Sequence, residues 1–382
     1  MDKEIRDKFI ELFNHEPLLV CAPGRINIIG EHTDYNMGFV LPAAIDKHIV
    51  FGVAANNSYK HRFFAYDLKD SSEINIDTIE KTDKQWVNYL LGVIAQIQKE
   101  NKIVKGVDCV VGGNIPLGAG LSSSAALETG FAFALNEIFG FNFSKEQLVK
   151  MSQIAEHEYA GVKCGIMDQF ASVFGKKDHV IRLDCRSLEY KHFPLKLDDY
   201  DIFLCDTRVK HTLASSEYNT RREECETGVA ILKKHKPEVE SLRDVDMELL
   251  QEHKGDFNPT VYKRCKFVVE EIGRLTEACD ELEKGNVKRV GELMYQTHAG
   301  LRDDYEVSCK ELDILVDIAE RSGVVIGSRV MGGGFGGCTI NIVHKSDESK
   351  FIDLATAEYK GKTGIDLFIY KVSIQDGTHI IN

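Results

Sequence analysis

Charged side chains crowd one glycine-bounded stretch near the start of the chain. Residues 21–38, CAPGRINIIGEHTDYNMG, hold Arg25, Glu31, His32 and Asp34 among apolar residues. Because each carboxylate can accept several hydrogen bonds, this group is suited to holding the hydroxyls of a sugar. A surface turn with solvated charges is the simpler alternative. A metal site is a weaker one, since the stretch has a single histidine.

Two further candidate carboxylates, Glu156 and Asp168, lie in residues 155–170, AEHEYAGVKCGIMDQF. Glu156 falls in a predicted helix, and Asp168 follows a loop that contains Gly165. The zinc-protease pattern HExxH is not met, because HEYAG lacks the second histidine. A carboxylate in an otherwise apolar stretch is costly unless it is paired or functional, so Asp168 is a candidate catalytic group. The alternative is an aspartate that caps the helix expected over QFASVF.

Residues 112–128, GGNIPLGAGLSSSAALE, are typical of a strand end, a glycine loop and the start of a helix. Glycine lets the backbone approach an anion closely, and the first N–H groups of a helix have no internal partner. The serines 122–124 could cap the helix, bond phosphate oxygens or ligate magnesium. The lysine-containing phosphate loop and the G-x-G-x-x-G fingerprint are both absent. The stretch is therefore a candidate phosphate site, with an ordinary glycine turn as the alternative.

A third glycine cluster lies at residues 332–337, GGGFGG, between two strand-like segments. Five glycines in six positions are unfavourable in both helices and strands, and a tight hairpin would need only one or two. We therefore expect a loop with its own role at the site.

Helices and strands are predicted on both sides of these loops. An amphipathic helix is expected over residues 1–16, strands in 48–57, 59–68 and 199–209, helices in 83–100 and 144–161, and charged helices over about 219–321. Ser144 and Gln147 form a capping-box pattern, and Gly161 stands where a helix C-cap belongs. A change in composition near residues 196–200 divides the chain into domains 1–198 and 199–382.

Composition narrows the classes of partner. The chain has 382 residues and a formal charge of −13, which disfavours nucleic acid. It has no apolar run of about 18 residues and no signal-peptide core, so no membrane span is expected and the cytoplasm is the predicted compartment. Ten scattered cysteines without a CxxC pair are expected to be reduced thiols.

Five motifs together resemble the galactokinases of the GHMP small-molecule kinase family: PGRINIIGEHTDYNMG, PLGAGLSSSAALE, CGIMDQF, HTLASSEYNTRREEC and MGGGFGGC. They run in family order through most of the chain. GEHTDYN is specific to this branch, whereas the glycine-serine loop marks the whole family. The resemblance implies an α+β fold: an N-terminal α/β domain with a mixed, largely antiparallel sheet, a ferredoxin-like C-terminal domain, and an active site between them.

The resemblance also implies a reaction, the Mg²⁺- and ATP-dependent phosphorylation of the anomeric hydroxyl of α-D-galactose, the first committed step of galactose metabolism. Asp168 would be the general base, and Arg25 would keep it ionised and stabilise the transferring phosphoryl group. Magnesium would be bound by Ser124 and Glu156. The sugar would be held by Glu31, His32, Thr33, Asp34, Gly165 and Tyr218. ATP would be held by Gly118, Ala119, Gly120, Leu121, Ser122, Ser123 and Ser124, with Trp86 near the adenine.

Alternatives to these assignments are few. Trp86 could equally be a core aromatic on its helix. A kinase for N-acetylgalactosamine is a rival that EHTDYN disfavours. A non-catalytic galactose sensor of the same fold is another, disfavoured because LSSSAALE is complete and Arg25, Glu156 and Asp168 are in place. The resemblance further implies a monomer whose partners are galactose and ATP.

Overall fold

The computed structural model describes residues 1–116, 118–209 and 214–381. Leu117 of the motif PLGAGLSSSAALE and residues 211–213 of HTLASSEYNTRREEC therefore lie outside the described residues. The helices are α1 (Asp2–Phe13), α2 (Gln85–Lys99), α3 (Ser123–Phe139), α4 (Lys145–Ala155), α5 (Met167–Phe174), α6 (Ala214–Leu232), α7 (Met247–Glu252), α8 (Pro259–Glu283), α9 (Val287–Asp303), α10 (Lys310–Ser322) and α11 (Glu348–Thr363).

The strands belong to three sheets. They are β1 (Leu18–Asn27), β2 (Phe39–Val40), β3 (Pro42–Ala55), β4 (Lys60–Ala65), β5 (Asp70–Asn75), β6 (Val107–Gly113), β7 (His179–Asp184), β8 (Tyr190–Pro194), β9 (Tyr200–Asp206), β10 (Val325–Val330), β11 (Cys338–His344), β12 (Phe368–Val372) and β13 (His379–Ile380). The strand orders are β13-β1-β3-β6-β4-β5, β10-β11-β9-β12 and β2-β7-β8.

The six-stranded sheet is mixed, as the family resemblance implies. Its described pairings are antiparallel except that of β4 with β6, which is parallel. The edge strand β13 comes from the end of the chain, where Ile380 pairs with Val20 of β1. The last residues therefore return to the sheet that the first residues build.

The four-stranded sheet is antiparallel and draws its strands from the second half of the chain. Helix α10 packs on β10, and α11 packs on α10. The glycine cluster at residues 332–337 connects β10 to β11, which confirms the expected pair of strands joined by glycines. We call this connection the glycine loop.

Helix α3 lies close against the six-stranded sheet. A Cβ on Gly130 would lie 2.3 Å from Cε2 of Phe51, so only glycine permits this approach. Phe131, the next residue of α3, is fully buried and packs edge-on against Phe63 of β4. This packing sets where the N-terminus of α3, and the loop before it, can lie.

Glu156 directly follows α4, and Asp168 lies in the first turn of α5. Ser144 and Gln147 form the predicted capping box, and the chain after α4 continues as a π-helical turn, Glu156–Ala160, that ends at Gly161 with φ 79°. Helix α5 is fixed to β1, because Ser172 Oγ donates to the Pro23 carbonyl at 2.8 Å. This contact holds the helix that carries Asp168 against the strand that carries Arg25.

Two expectations about the whole chain can be compared with the structure. All ten cysteines are free thiols, seven of them buried. Within the described ranges, no helix combines the length and apolar character that crossing a bilayer requires.

Candidate active site

A cleft of about 390 Å³ brings together most of the residues that the motifs single out. It is lined by Arg25, Glu31, His32, Asp34, Pro116, Gly118, Gly120, Leu121, Ser122, Ser123, Ser124, Glu156, Val162, Cys164, Met167, Asp168, Tyr218, Gly332, Gly333, Gly334 and Phe335. These residues come from both halves of the chain, so the cleft forms only where the two halves meet. Four candidate residues, Thr33, Ala119, Gly165 and Trp86, are not part of its lining.

The centre of the cleft is a two-point ion pair between Arg25 and Asp168. Nε and one terminal nitrogen of Arg25 each donate to a different oxygen of Asp168, both at 2.8 Å. The third guanidinium nitrogen donates to the Gly120 carbonyl at 2.6 Å. Arg25 has 5% of its side chain exposed and Asp168 has 26%, so the carboxylate is the more accessible partner.

Residues 118–124, which run through the loop before α3 into its first turn, are called the serine loop here. Ser122 has φ 58°, a left-handed conformation, and its side chain does not cap α3. Its hydroxyl instead donates to Oδ2 of Asp168. The first backbone N–H groups of α3 are thus not bonded to this hydroxyl, and they lie at the cleft where an anion could accept from them.

A buried acidic cluster lies behind the serine loop. Nε2 of Gln169 donates to Oε2 of Glu156 at 2.7 Å and to Oε2 of Glu128 at 3.3 Å. Burial, together with the neighbouring charge, raises the pKa of Glu128 well above its usual value, and burial also raises the pKa of Glu156. Oε1 of Glu128 has no hydrogen-bond partner among the described residues. Sequence reasoning missed Glu128 and Gln169, although both stand inside the quoted motifs.

Glu31 is held by residues about 300 positions away in sequence. Its Oε1 accepts from Arg329 at 3.0 Å and from the Gly332 backbone N–H at 2.9 Å. Arg329 is fully buried and also donates to the backbone carbonyls of Asn27 and Ile28. Sequence reasoning missed Arg329; a lone arginine in the apolar strand GVVIGSRVM was the available signal.

Asp34 and Gly165 are in direct contact at the edge of the cleft. A Cβ on Gly165 would lie 1.9 Å from Oδ2 of Asp34, so the backbone of Gly165 acts here through its lack of a side chain. Burial, with the charge of Asp168 as the next cause, raises the pKa of Asp34 to about 7.

Two further candidate residues of the first motif, Thr33 and His32, also have protein partners. The Thr33 hydroxyl is within hydrogen-bond distance of the carbonyls of Gly30 and Phe39, and the residue is fully buried. His32 makes contacts with both ring nitrogens, to Tyr35 at 2.7 Å and to the Gly333 carbonyl at 3.2 Å. Tyr218 packs against the His32 ring with 5.3 Å between ring centroids.

Trp86 lines a second cavity, of about 660 Å³, that adjoins the cleft. The two cavities share Pro116, Ser123 and Ser124. The indole N–H of Trp86 donates to Asp70 Oδ2 at 2.9 Å, which fixes the ring at the cavity wall. Trp86 is therefore at a cavity surface, and it also packs against the main core cluster.

Comparison with known proteins identifies the family. The chain matches the galactokinase galactose-binding signature over residues 7–55, the N-terminal domain of GHMP kinases over 88–176 and their C-terminal domain over 278–360. It is 44% identical to a galactokinase of Thermotoga maritima over 95% of this chain and 99% of that protein. The chain belongs to the galactokinase family of GHMP kinases. It is accordingly an ATP-dependent sugar kinase.

Other relatives agree with this membership. A galactokinase of Roseiflexus is 40% identical over 98% of this chain and 96% of its own length. The crystal structure of Lactococcus lactis galactokinase complexed with galactose has a TM-score of 0.95 and 34% identity, covering 98% of each chain. Methanococcus jannaschii mevalonate kinase, at a TM-score of 0.65 and 18% identity over 94% of this chain and 99% of that one, shares the fold. The predicted α+β fold, with its mixed sheet and C-terminal domain, is confirmed.

Gly165→Ala should sharply reduce sugar-kinase activity while leaving the fold intact. The added methyl group would overlap Asp34 Oδ2, and a displacement of about 1 Å in a site can cost on the order of 10²-fold in rate. Steady-state kcat/KM and thermal unfolding would be measured together. Gly273→Ala, on α8 with open space around its Cβ, is the control that should keep full activity. Full activity in Gly165→Ala would mean that Asp34 can move without consequence.

Proposed function

We propose that the protein transfers the γ-phosphoryl group of ATP to the anomeric hydroxyl of α-D-galactose, giving galactose 1-phosphate and ADP. The observation that carries this proposal is the position of Asp168. It is paired with Arg25 and bonded to the serine loop in a cleft that also holds Glu31 and Asp34. A base, an anion site and sugar-binding carboxylates thus share one space.

Asp168 is the proposed general base. Its two oxygens offer about four lone-pair positions, of which the bonds from Arg25 and Ser122 use three. Two of those three bonds are to Oδ2, so Oδ1 keeps a position that can accept the proton of a sugar hydroxyl. Arg25 carries its positive charge next to this oxygen, where it can also stabilise the negative charge of the phosphoryl group in flight.

Glu31, Asp34 and Tyr218 are the proposed side-chain ligands of the sugar. The contacts of Glu31 to Arg329 and to the Gly332 N–H use only Oε1, so Oε2 remains for a hydroxyl. Sugar hydroxyls that donate to Asp34 would favour its ionised form and so offset the burial that raises its pKa to about 7. Thr33 would act indirectly, by holding the turn, and Gly165 by making room for Asp34.

The serine loop and the N-terminus of α3 are the proposed site for the ATP phosphates. Gly118, Gly120 and the serines 122–124 line the cleft, and Ser123 and Ser124 also reach the cavity of Trp86. Ala119 is a buried residue of this loop and would contribute through its backbone. The size and largely apolar walls of the second cavity suit an adenine ring.

Glu156 and Ser124 are the proposed magnesium ligands. Glu156 is a buried carboxylate whose described partners, Gln169, Cys164 and Ser124, are neutral, and within the described ranges no lysine or arginine pairs with it. Oxygen ligands with uncompensated negative charge fit a hard divalent cation. Bound there, magnesium would neutralise charge on the outer phosphates of ATP. The role of Gln169 would be to orient the Glu156 carboxylate.

We further propose two domains, 1–198 and 199–382, and a cytoplasmic monomer. The matched N-terminal and C-terminal family domains, 88–176 and 278–360, lie on either side of this boundary. Strand β13 crosses it, because it pairs with β1. Ten free thiols are typical of a reducing compartment.

Purified protein with Mg²⁺ and ATP should release ADP with galactose and far less with glucose or N-acetylgalactosamine. A site built to bond particular hydroxyls rejects sugars that misplace them, by on the order of 10²-fold or more in kcat/KM. ADP release would be followed with each sugar in turn. Equal rates across the sugars would contradict the galactose assignment, and no turnover with any of them would favour a non-catalytic sensor.

Asp168→Asn should lower kcat by about 10³-fold, within the range that general-base catalysis supplies, with ATP binding nearly unchanged. The amide keeps the shape of the carboxylate but cannot take a proton. Rate assays and ATP titration would be made on the same preparation. Asp244→Asn, which removes an ion-pair partner of Arg186 outside the cleft, is the matched control. Normal turnover in Asp168→Asn would exclude this residue as the base.

Glu156→Gln should weaken magnesium binding about tenfold or more, the effect expected when a metal site loses a supporting group. Titration of Mg²⁺ in the presence of ADP would measure this separately from activity. Glu158→Gln is a close control, because Glu158 lies two residues further on and pairs with Lys99 and Gln96 instead. Equal affinities in the two variants would remove Glu156 from the proposed ligands.

A further inference from the structure

Both ring nitrogens of His32 are within hydrogen-bond distance of protein groups. Nε2 lies 3.2 Å from the carbonyl oxygen of Gly333 in the glycine loop, and Nδ1 lies 2.7 Å from the hydroxyl of Tyr35. His32 is almost completely buried. In this arrangement neither nitrogen is left to bond a sugar.

These partners determine which nitrogen carries the proton. Burial, with Arg221 and Arg329 nearby, lowers the pKa of His32 to about 3, so the ring is neutral near pH 7 and has one N–H. The Gly333 carbonyl can only accept a hydrogen bond, so the proton must be on Nε2. Nδ1 is then an acceptor, and the Tyr35 hydroxyl must donate to it.

The same reasoning fixes the direction of the bonds behind His32. The Tyr35 hydroxyl has used its proton, so at 2.7 Å it must accept from the hydroxyl of Tyr305. Tyr305 in turn can only accept from the Cys225 thiol, 3.3 Å away. Tyr35, Tyr305 and Cys225 are all buried, and burial raises the pKa of each of them, so each retains its proton.

We propose that Tyr35 and Tyr305 are positioning residues that hold His32 as its Nε2–H tautomer, and that His32 thereby fixes the glycine loop against residues 31–34. The hydrogen bonds all donate in one direction, from Cys225 through Tyr305, Tyr35 and His32 to the Gly333 carbonyl. His32 thus acts through the Gly333 carbonyl, and its ring is not a sugar ligand. The effect on catalysis rests on the proposed function, whereas the tautomer and the loop contact do not.

The other described hydrogen bonds of the glycine loop are made by Gly332, Phe335 and Gly337, the last with Thr207 and Val209. The Phe335 N–H donates to the Val307 carbonyl at 2.6 Å, and the Gly332 N–H donates to Glu31. Gly333 and Gly334 lie between these two bonds and line the cleft. Among the described residues, the bond from His32 is the one hydrogen bond to this pair of glycines, so its loss would leave them held through their neighbours.

Tyr35→Phe removes the donor to Nδ1 and should disturb both His32 and the loop. Long-range ¹H–¹⁵N spectra of ¹⁵N-histidine protein should show Nε2–H in the parent and a changed Nδ1 signal in the variant. The Phe335 amide should exchange several-fold faster. The KM for galactose should rise about fivefold, the ratio that one net hydrogen bond contributes, with kcat little changed because Arg25 and Asp168 keep their contacts.

Two further variants keep the test decisive. Tyr305→Phe should move the same three measurements in the same direction by less, and it stands in if Tyr35→Phe does not fold. Tyr295→Phe likewise loses one hydrogen bond of a tyrosine hydroxyl, here to the Val325 carbonyl outside the cleft, and should change none of the three measurements.

Two results would overturn the proposal. One is an Nδ1–H tautomer of His32 in the unmodified protein. The other is that Tyr35→Phe and Tyr305→Phe both match Tyr295→Phe in Phe335 amide exchange and in the KM for galactose. Failure of the parent to phosphorylate galactose would instead contradict the proposed function. In that case the tautomer and the amide exchange would still decide the positioning role.

Discussion

The two-point pair between Arg25 and Asp168 is the constraint on which the site depends. It joins β1 to the first turn of α5, and the third nitrogen of Arg25 ties the same guanidinium to the serine loop at Gly120. A buried arginine is costly to remove from water, and this cost is offset only while its acceptors remain in place. Loss of either charge would therefore leave the other without its counter-charge at the point where these three elements meet. The relative placement of Asp168, the serine loop and β1 therefore depends on this one group.

Residues of the second half of the chain bond directly to residues 30–32 of the first motif. Arg329 of β10 bonds Glu31, Glu271 of α8 accepts from the Gly30 N–H at 2.8 Å, and Gly333 accepts from His32. Each contact joins residues more than 240 positions apart in sequence. The geometry of residues 30–34 therefore exists only when the two halves are docked. Strand β13 strengthens this dependence, since it closes the first sheet with the last residues described.

Local patterns in the sequence predicted many of the helices and caps. They could not predict which residues distant in sequence contact each other. The capping box at Ser144, the glycine C-cap at Gly161 and the helix over Trp86 follow from residues within one or two turns of each other. The motifs also named most of the residues that line the cleft.

What periodicity cannot supply is the partner of a buried polar group. Arg329, Glu128 and the Tyr35–Tyr305 pair owe their roles to contacts made only in the folded chain. Thr33 shows the converse, because it belongs to a sugar motif yet bonds the backbone beneath it.

The raised pKa values of buried carboxyl groups at the cleft lower the free energy of unfolding near neutral pH. Asp34 holds its proton to about pH 7 in the folded state but only to about pH 4 when unfolded, so its contribution to stability falls as pH rises through this window. At about 1.4 kcal/mol per pH unit, the loss approaches 4 kcal/mol by pH 7. Glu128 and Glu156 act in the same sense, since burial raises the pKa of both. Hydroxyl donors at Asp34 and a cation at Glu156 would each favour the charged form. Burial of these carboxyl groups therefore lowers the stability of the protein alone and makes it gain more stability from a ligand that favours their charged forms.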